Sequence, residues 1–312
     1  MTHPFRIVDL GDRRVLETGG LAYPTRYSAR VVRMLVERKG AQRAPLYFDF
    51  KETRAPHFLG PLFRYLRAQG IRDLRVLEVG CSFGHMTEYL AEQPEVATLS
   101  TFDTDAAFVE LTRAKVDELG LRAVRGVLHL DQAATCRLPW ADGAFDLVLA
   151  IGVVEHLPPR HRRQQVDEYY RVLAPNGHLA ILDTPNRWFP LETHSVGLPL
   201  VQWLPAPLAW RYARLGRPSR YRAVGFAEFV ADGTGWRNAT LAECLPGAGR
   251  AGIVDVTEAA GYGFAFYRAT ARSRRGRALL PLVAVAAAGL RALGRPPSLA
   301  LPFFNLLFRK AR

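Results

Sequence analysis

The chain is 312 residues long, 49% of them hydrophobic, with a formal charge of +13 at neutral pH. That is enough apolar material for a sizeable core, and it excludes a disordered or collagen-like chain. So positive a balance points to an anionic contact, whether nucleic acid, a membrane surface or a phosphorylated substrate; the alternative is a genome that writes Arg freely.

The charge is unevenly spread. After Glu258 there is no acidic residue, while Arg268, Arg272, Arg274, Arg275, Arg277, Arg291, Arg295, Arg309, Lys310 and Arg312 follow. Cys81, Cys136 and Cys244 are scattered and form no CxxC pair, so neither a disulfide framework nor a zinc site is suggested, and a reducing cytoplasm fits. Residues 1–20 carry Asp9, Asp12 and Glu17 without a long apolar run, unlike a signal peptide.

In chain order, residues 1–70 read as a helical N-terminal extension or substrate lid. Arg30 to Arg38 is a short amphipathic helix with Val31, Met34 and Leu35 on one face. Ala55 to Gln69 is another, stopped by Gly70. Strand and helix then alternate. Strands are expected at Leu74–Val79, Val96–Phe102, Val124–Leu130, Phe145–Ile151 and His178–Asp183, and helices near His85–Glu92, Ala106–Leu119 and Arg162–Leu173. The almost wholly apolar fourth strand suits burial on both faces. This rhythm predicts an α/β domain over 71–270, with a doubly wound, mostly parallel, Rossmann-like sheet. Residues 185–225 are rich in Pro, Trp and Arg and read as a lid insertion. Ile253–Val256 and Gly263–Ala269 read as two closing strands, and 271–312 as a basic apolar tail.

The strongest chemical signal is Val76-Leu77-Glu78-Val79-Gly80-Cys81-Ser82-Phe83-Gly84, a buried strand ending near an acid, then a Gly turn and a helix. Ligands of open α/β sheets sit beyond the carboxyl ends of the strands. Gly80 would let the backbone turn tightly, and Gly84 would allow a ligand to approach closely. The spacing lacks the G-x-G-x-x-G order of a dinucleotide site. Glu78 would repel a pyrophosphate but suits a cationic ligand. Asp103, after the second strand, can accept two ribose hydroxyls. Helix capping or surface charge is the alternative for both carboxylates.

These segments, with Thr101-Phe102-Asp103, Leu138 to Asp146, Val153-Val154-Glu155-His156-Leu157, Arg171 to Gly177 and Asp183-Thr184-Pro185-Asn186, resemble class I S-adenosylmethionine (SAM)-dependent methyltransferases. The likeness covers roughly residues 70–190. It is to the branch of quinone-biosynthesis, glycan and natural-product O-methyltransferases. It implies SAM as cofactor, with Glu78, Gly80 and Gly84 at its methionine end, Asp103 on the ribose, and Asp131 or Gln132 at the adenine edge. Cys81, Thr104 and Ile151 complete the expected cofactor-binding set. Ser82 stands where the family often has Gly, and Asp131 lies farther from Leu138-Pro139 than the usual acid.

Methyl transfer needs a positioned nucleophile, and a hydroxyl also needs a base. His156, His194 and Glu192 are the catalytic candidates, on loops after the fourth and fifth strands; His156 could equally brace its loop. A metal set of His156, His161 and His194 is disfavoured by its His-x4-His spacing, so no metal is expected. Trp188, Phe189, Trp203, Trp210 and Tyr212 form an aromatic wall for an acceptor, or simply pack the lid. In the tail, Ala278–Leu293 and Leu299–Phe308 are apolar runs too short to span a bilayer but flanked by cations. They suit an anionic membrane interface, or packing on the core or in a homo-oligomer.

The expected activity is methyl transfer to a small-molecule, glycan or lipid-linked acceptor, in the cytoplasm or peripherally on the inner face of the membrane. An RNA methyltransferase is the second reading, without a recognisable RNA-binding module to support it. A non-catalytic SAM-fold binding protein is the third.

Overall fold

The computed structural model describes residues 5–11, 13–216, 220–231, 234–247, 252–271 and 273–311. The chain divides into two compact units, residues 1–132 and 133–312.

The first unit opens with three antiparallel strands in a sheet of their own: β1 (Phe5–Asp9), β2 (Arg14–Thr18) and β3 (Leu21–Thr25). The expectation of a helical extension is corrected here for its first third. The strands are short and half exposed, so the burial alternation that marks a strand is faint. Pro24 is tolerated because β3 is an edge strand. Three helices follow: α1 (Ala29–Lys39), α2 (Phe50–Thr53) and α3 (Ala55–Ala68). Ser28 caps α1 by accepting the Val31 N–H, and Gly40 ends it at φ 79°. Its buried face, Val31, Val32, Leu35 and Val36, packs in one cluster with Leu16, Tyr27 and Phe83.

The parallel part of this unit is β4 (Leu74–Val79), β5 (Val96–Asp103) and β6 (Val124–His129), with β5 in the middle. The connecting helices are α4 (His85–Ala91) and α5 (Ala106–Leu119). A buried polar knot ties the N-terminal segment to α4 and α5. The Tyr27 hydroxyl donates to Glu88 at 2.8 Å, and the Lys115 ammonium donates to that hydroxyl at 3.0 Å. Burial pulls Lys115 down to about 8.

The second unit holds β7 (Phe145–Ile151), α6 (Arg162–Arg171), β8 (Leu173–Pro185), α7 (Ala206–Ala213), α8 (Arg220–Ala223), α9 (Phe226–Val230), β9 (Ile253–Asp255), α10 (Phe264–Thr270), α11 (Arg274–Ala292) and β10 (Phe303–Lys310). β7 and β8 are parallel; β10 runs antiparallel to both β8 and β9. The larger sheet thus has seven strands, mostly parallel, in a Rossmann-like α/β fold.

One further expectation is corrected. Gly263–Ala269 is helical rather than a strand, because α10 occupies it. Of the readings of the tail, packing on the core holds for Phe303–Lys310, which lies between β8 and β9 and is buried from Phe304 to Phe308. An apolar run of that length fits a strand buried on both faces as well as a membrane-facing segment. Residues 185–225 supply most of a separate apolar cluster of Val196, Val201, Ala209, Ala213 and Tyr221, joined by Phe229 and Trp236.

Candidate active site

The turn from β4 into α4 holds three residues in the left-handed backbone region: Gly80 (φ 77°), Ser82 (φ 47°) and Gly84 (φ 71°). The Gly80 and Cys81 N–H groups both donate to the Phe102 carbonyl, at 2.9 and 3.0 Å, which draws the turn onto the end of β5. Asp103 closes β5. Its Oδ2 accepts the Ser82 N–H at 2.9 Å and its Oδ1 accepts the Asp105 N–H at 3.0 Å. Burial raises its pKa, opposed by the backbone N–H groups of Ser82 and Thr104 and by the charges of Arg38 and His129.

Glu78 is 3% exposed and accepts a hydrogen bond from the Thr87 hydroxyl at 2.5 Å. Burial pushes its pKa up to about 8, against hydrogen bonding from Thr87 and Thr101 and with help from the charge of Asp103. The burial of Glu78 at a strand tip fits a positively charged partner. The two Asp103 oxygens, with about four lone-pair sites between them, have acceptor capacity for hydroxyls beyond the backbone N–H groups they engage.

The sequence-derived positions fall out as follows. Glu78, Gly80, Cys81, Gly84, Asp103, Thr104, Asp131 and Gln132 all belong to the first unit, and Ile151 ends β7 in the second. Two have a structural part of their own. Gly84 also allows α5 to approach: a Cβ there would lie 3.1 Å from the Thr112 hydroxyl and 3.3 Å from its Cα. The Cys81 side chain is core, packed with Val109 and Val127. Thr104, Asp131 and Gln132 are exposed. The Leu130 N–H donates to the Asp103 carbonyl at 3.1 Å, which carries Asp131 to the same strand ends. Sequence reasoning missed Thr87, which holds Glu78, and Arg38 and His129, whose charges act on Asp103. None of them lies in the motif, so no local pattern marks them.

The catalytic candidates gather in the second unit. Val154–His156 is a single 3₁₀ turn just after β7. Arg162 of α6, 2% exposed, holds it by donating to the carbonyls of Glu155 (3.0 Å) and Leu157 (3.2 Å). The Nε2 atoms of His156 and His194 face each other at 3.3 Å, and each lies 3.8 Å from Glu155 Oε1. The Glu155 side chain is fully buried, and neither of its oxygens has a hydrogen-bond partner. Burial and the charge of Asp183 raise its pKa.

Glu192 takes a different part from the expected one. Its two oxygens accept the N–H groups of His194, Ser195, Val196 and Gly197 at 2.6–2.9 Å. With both oxygens engaged by amides it shapes the loop that carries His194, which is a positioning role rather than proton transfer. His161, at the N-terminal cap of α6, is not in the cluster. Beside it lies a cavity of about 210 Å³, whose walls include Glu155, Arg162, Gly235, Trp236 and Arg237.

Comparison with known proteins bears on the same stretch. Residues 77–181 match the family described as "Methyltransferase domain". The chain is 30% identical over 191 residues to a probable tRNA methyltransferase 9B of Bos taurus, covering 58% of this chain and 38% of that protein. It is 29% identical over 133 residues to a ubiquinone/menaquinone biosynthesis C-methyltransferase of Geotalea daltonii, covering 42% and 54%. It is 33% identical over 118 residues to a fatty-acid O-methyltransferase of Mycolicibacterium smegmatis, covering 38% and 40%. The chain spans only about two fifths to one half of the length of these relatives. The stretch that matches the methyltransferase-domain family, residues 77–181, is the one that carries the parallel strands and the two carboxylates around the first glycine turn.

Proposed function

We propose that this chain transfers the methyl group of SAM to a hydroxyl of a small-molecule, glycan or lipid-linked acceptor. The observation that carries this reading is the pair Glu78 and Asp103, at the ends of neighbouring parallel strands on either side of the Gly80 turn. SAM supplies, when bound, a methyl already activated by a sulfonium. The protein's work is therefore positioning.

Glu78 meets the cationic methionine end; a buried carboxylate pushed up to about 8 regains its charge when a cation arrives. Asp103 accepts the ribose hydroxyls, and Thr104 flanks it. Asp131 or Gln132 meets the adenine edge. Gly80, Cys81 and Gly84 contribute their backbone, and Ile151 an apolar contact. In the metal-free protein, His156 and His194 are the groups on offer to take up the acceptor's proton.

The test is incubation of the protein and isotope-labelled SAM with a cell extract, followed by separation of lipid, small-molecule and RNA fractions. Label in the organic or small-molecule fraction supports the reading. The charge of +13 and the likeness to a probable tRNA methyltransferase favour RNA as the second reading. Label in RNA, with binding that weakens steeply as salt rises, would establish it. SAM binding with no label transferred would mean a non-catalytic binding protein.

A lipid-linked acceptor fits α11. This helix exposes Leu282 (68%) and Val285 (74%) beside Arg274 and Arg277, with Leu293 (77%) just beyond its end. An apolar stripe with cations and no carboxylates suits an anionic membrane interface, and the same stripe would serve a homo-oligomer. Among the described residues no helix is long and apolar enough to cross a membrane.

A further inference from the structure

We propose that Glu155, His156 and His194 form a binding site for one divalent transition-metal ion, with an open coordination position. The three donor atoms lie within 4.8 Å of one another. They form a triangle of sides 3.3, 3.8 and 3.8 Å. A point equidistant from all three lies about 2.1 Å from each, within the range of about 2.0–2.2 Å for zinc bonds to imidazole nitrogen and carboxylate oxygen. The donors already stand close to coordination distance.

The chemistry of the donor set points the same way. Two imidazoles and one carboxylate suit zinc, iron and cobalt rather than calcium or magnesium. Glu155 is fully buried, and its two oxygens have no hydrogen-bond donor. A buried carboxylate without a donor is costly, and an ion beside Oε1 removes that cost. His156 and His194 are 42% and 28% exposed at the side chain, so the ion would be reached from solvent and keep a free position. Three protein ligands plus an open position is the arrangement of catalytic rather than structural zinc sites.

The surroundings hold this geometry. Glu192 fixes the loop carrying His194 through four backbone N–H groups, and Arg162 fixes the turn carrying Glu155 and His156. Gly235 (φ 74°) backs the rings so closely that a Cβ there would lie 2.9 Å from His156 Cε1. Glu155 and Gly235 also line the 210 Å³ cavity, which gives a bound ion a neighbouring space for a second ligand. With the ion bound, both Nε2 atoms would be spent on it, and the ion in place of the histidines would ease loss of the acceptor's proton; that step rests on the hydroxyl reading above, the ion site itself does not. The His-x4-His spacing argued against a metal because it paired His156 with His161. The fold instead pairs His156 with His194, thirty-eight positions away, and adds Glu155.

The experiment uses the full chain without a histidine tag, stripped of metal, and titrates it with cobalt(II). The expected result is one cobalt per chain with visible ligand-field absorption, displaced by zinc. His194→Ala and Glu155→Gln should each weaken cobalt binding by about 100-fold or more, and Glu192→Gln by about 10- to 100-fold through the supporting loop. His161→Ala should leave it unchanged. Circular dichroism checks that each variant is folded, and calorimetry with SAM on the same samples reads the first unit's pocket separately. Absence of a saturable cobalt site in the parent protein would overturn the proposal. So would equal cobalt affinity in folded His194→Ala, which would leave the two histidines as a hydrogen-bonded pair only.

Discussion

Asp103 and Ser82 are joined across the first turn of the parallel sheet, the Asp103 Oδ2 accepting the Ser82 N–H at 2.9 Å. Ser82 sits at φ 47°, an uncommon conformation for a residue with a side chain. The carboxylate therefore pins the turn as well as presenting acceptors to a ribose. Asp103→Ala should weaken SAM binding at least about tenfold, or roughly 1.4 kcal/mol, read by calorimetry. Unchanged affinity would remove Asp103 from the site.

Glu78 makes stability depend on pH in one direction. Its folded pKa is raised to about 8 from the ordinary 4.5, so its favourable contribution is complete below about 4.5 and is lost as pH rises through about 8. Glu78→Gln should remove this loss and raise the ligand-free Tm at pH 8 relative to the parent, while weakening SAM binding. A Glu78→Gln protein whose Tm falls between pH 5 and 8 as steeply as the parent's would contradict the assignment.

His85 acts in the opposite sense. Burial, aided by the charges of Lys115 and Arg54, lowers its pKa to about 3 from 6.5, and its ring packs edge-on against Phe50 at 5.0 Å. Its contribution is complete above about 6.5 and is lost as pH falls towards about 3. His85→Phe should flatten the acid limb of a Tm-versus-pH curve and leave the alkaline limb to Glu78.

Gly84 joins α4 to its turn at φ 71°, hard against Thr112 of α5. Gly84→Ala meets both a backbone penalty and a contact tighter than ordinary packing. The variant should lose about 1–3 kcal/mol, seen as a lower urea midpoint. An unchanged midpoint would mean that α5 yields without cost.

The apolar stripe of α11 gives a cleaner membrane test than removal of the whole tail, because removal would take β10 out of the sheet. Leu282→Asp with Val285→Asp changes two exposed side chains and no buried one. Co-sedimentation with anionic vesicles should fall several-fold while the Tm holds. Retained sedimentation would place any membrane contact elsewhere.

The middle of the fold was legible in the sequence because its strands are continuous apolar runs separated by helices with glycine stops, as at Gly120 after α5. Glu78 and Asp103 were legible for the same reason: strand tips in a parallel sheet share one edge. The ends of the chain were not. In β1 and β3 the burial alternation is weak, and Phe303–Phe308 has no period that separates a buried strand from an interfacial segment. Of the set His156, His161 and His194 the sequence named two members that meet, but that Glu155 stands there in place of His161 was not legible. The grouping depends on the path of residues 186–194 after β8, which Glu192 and its amide donors determine, and no local pattern encodes it.

The position of β10 between β8 and β9 sets an order on biosynthesis. The second unit can complete its sheet only after residue 310 has left the ribosome, so β8 waits with an open hydrogen-bonding edge while more than a hundred residues are still being added. Chains that stall before that point would present a bare apolar strand to one another, and aggregation of truncated products follows from the topology itself.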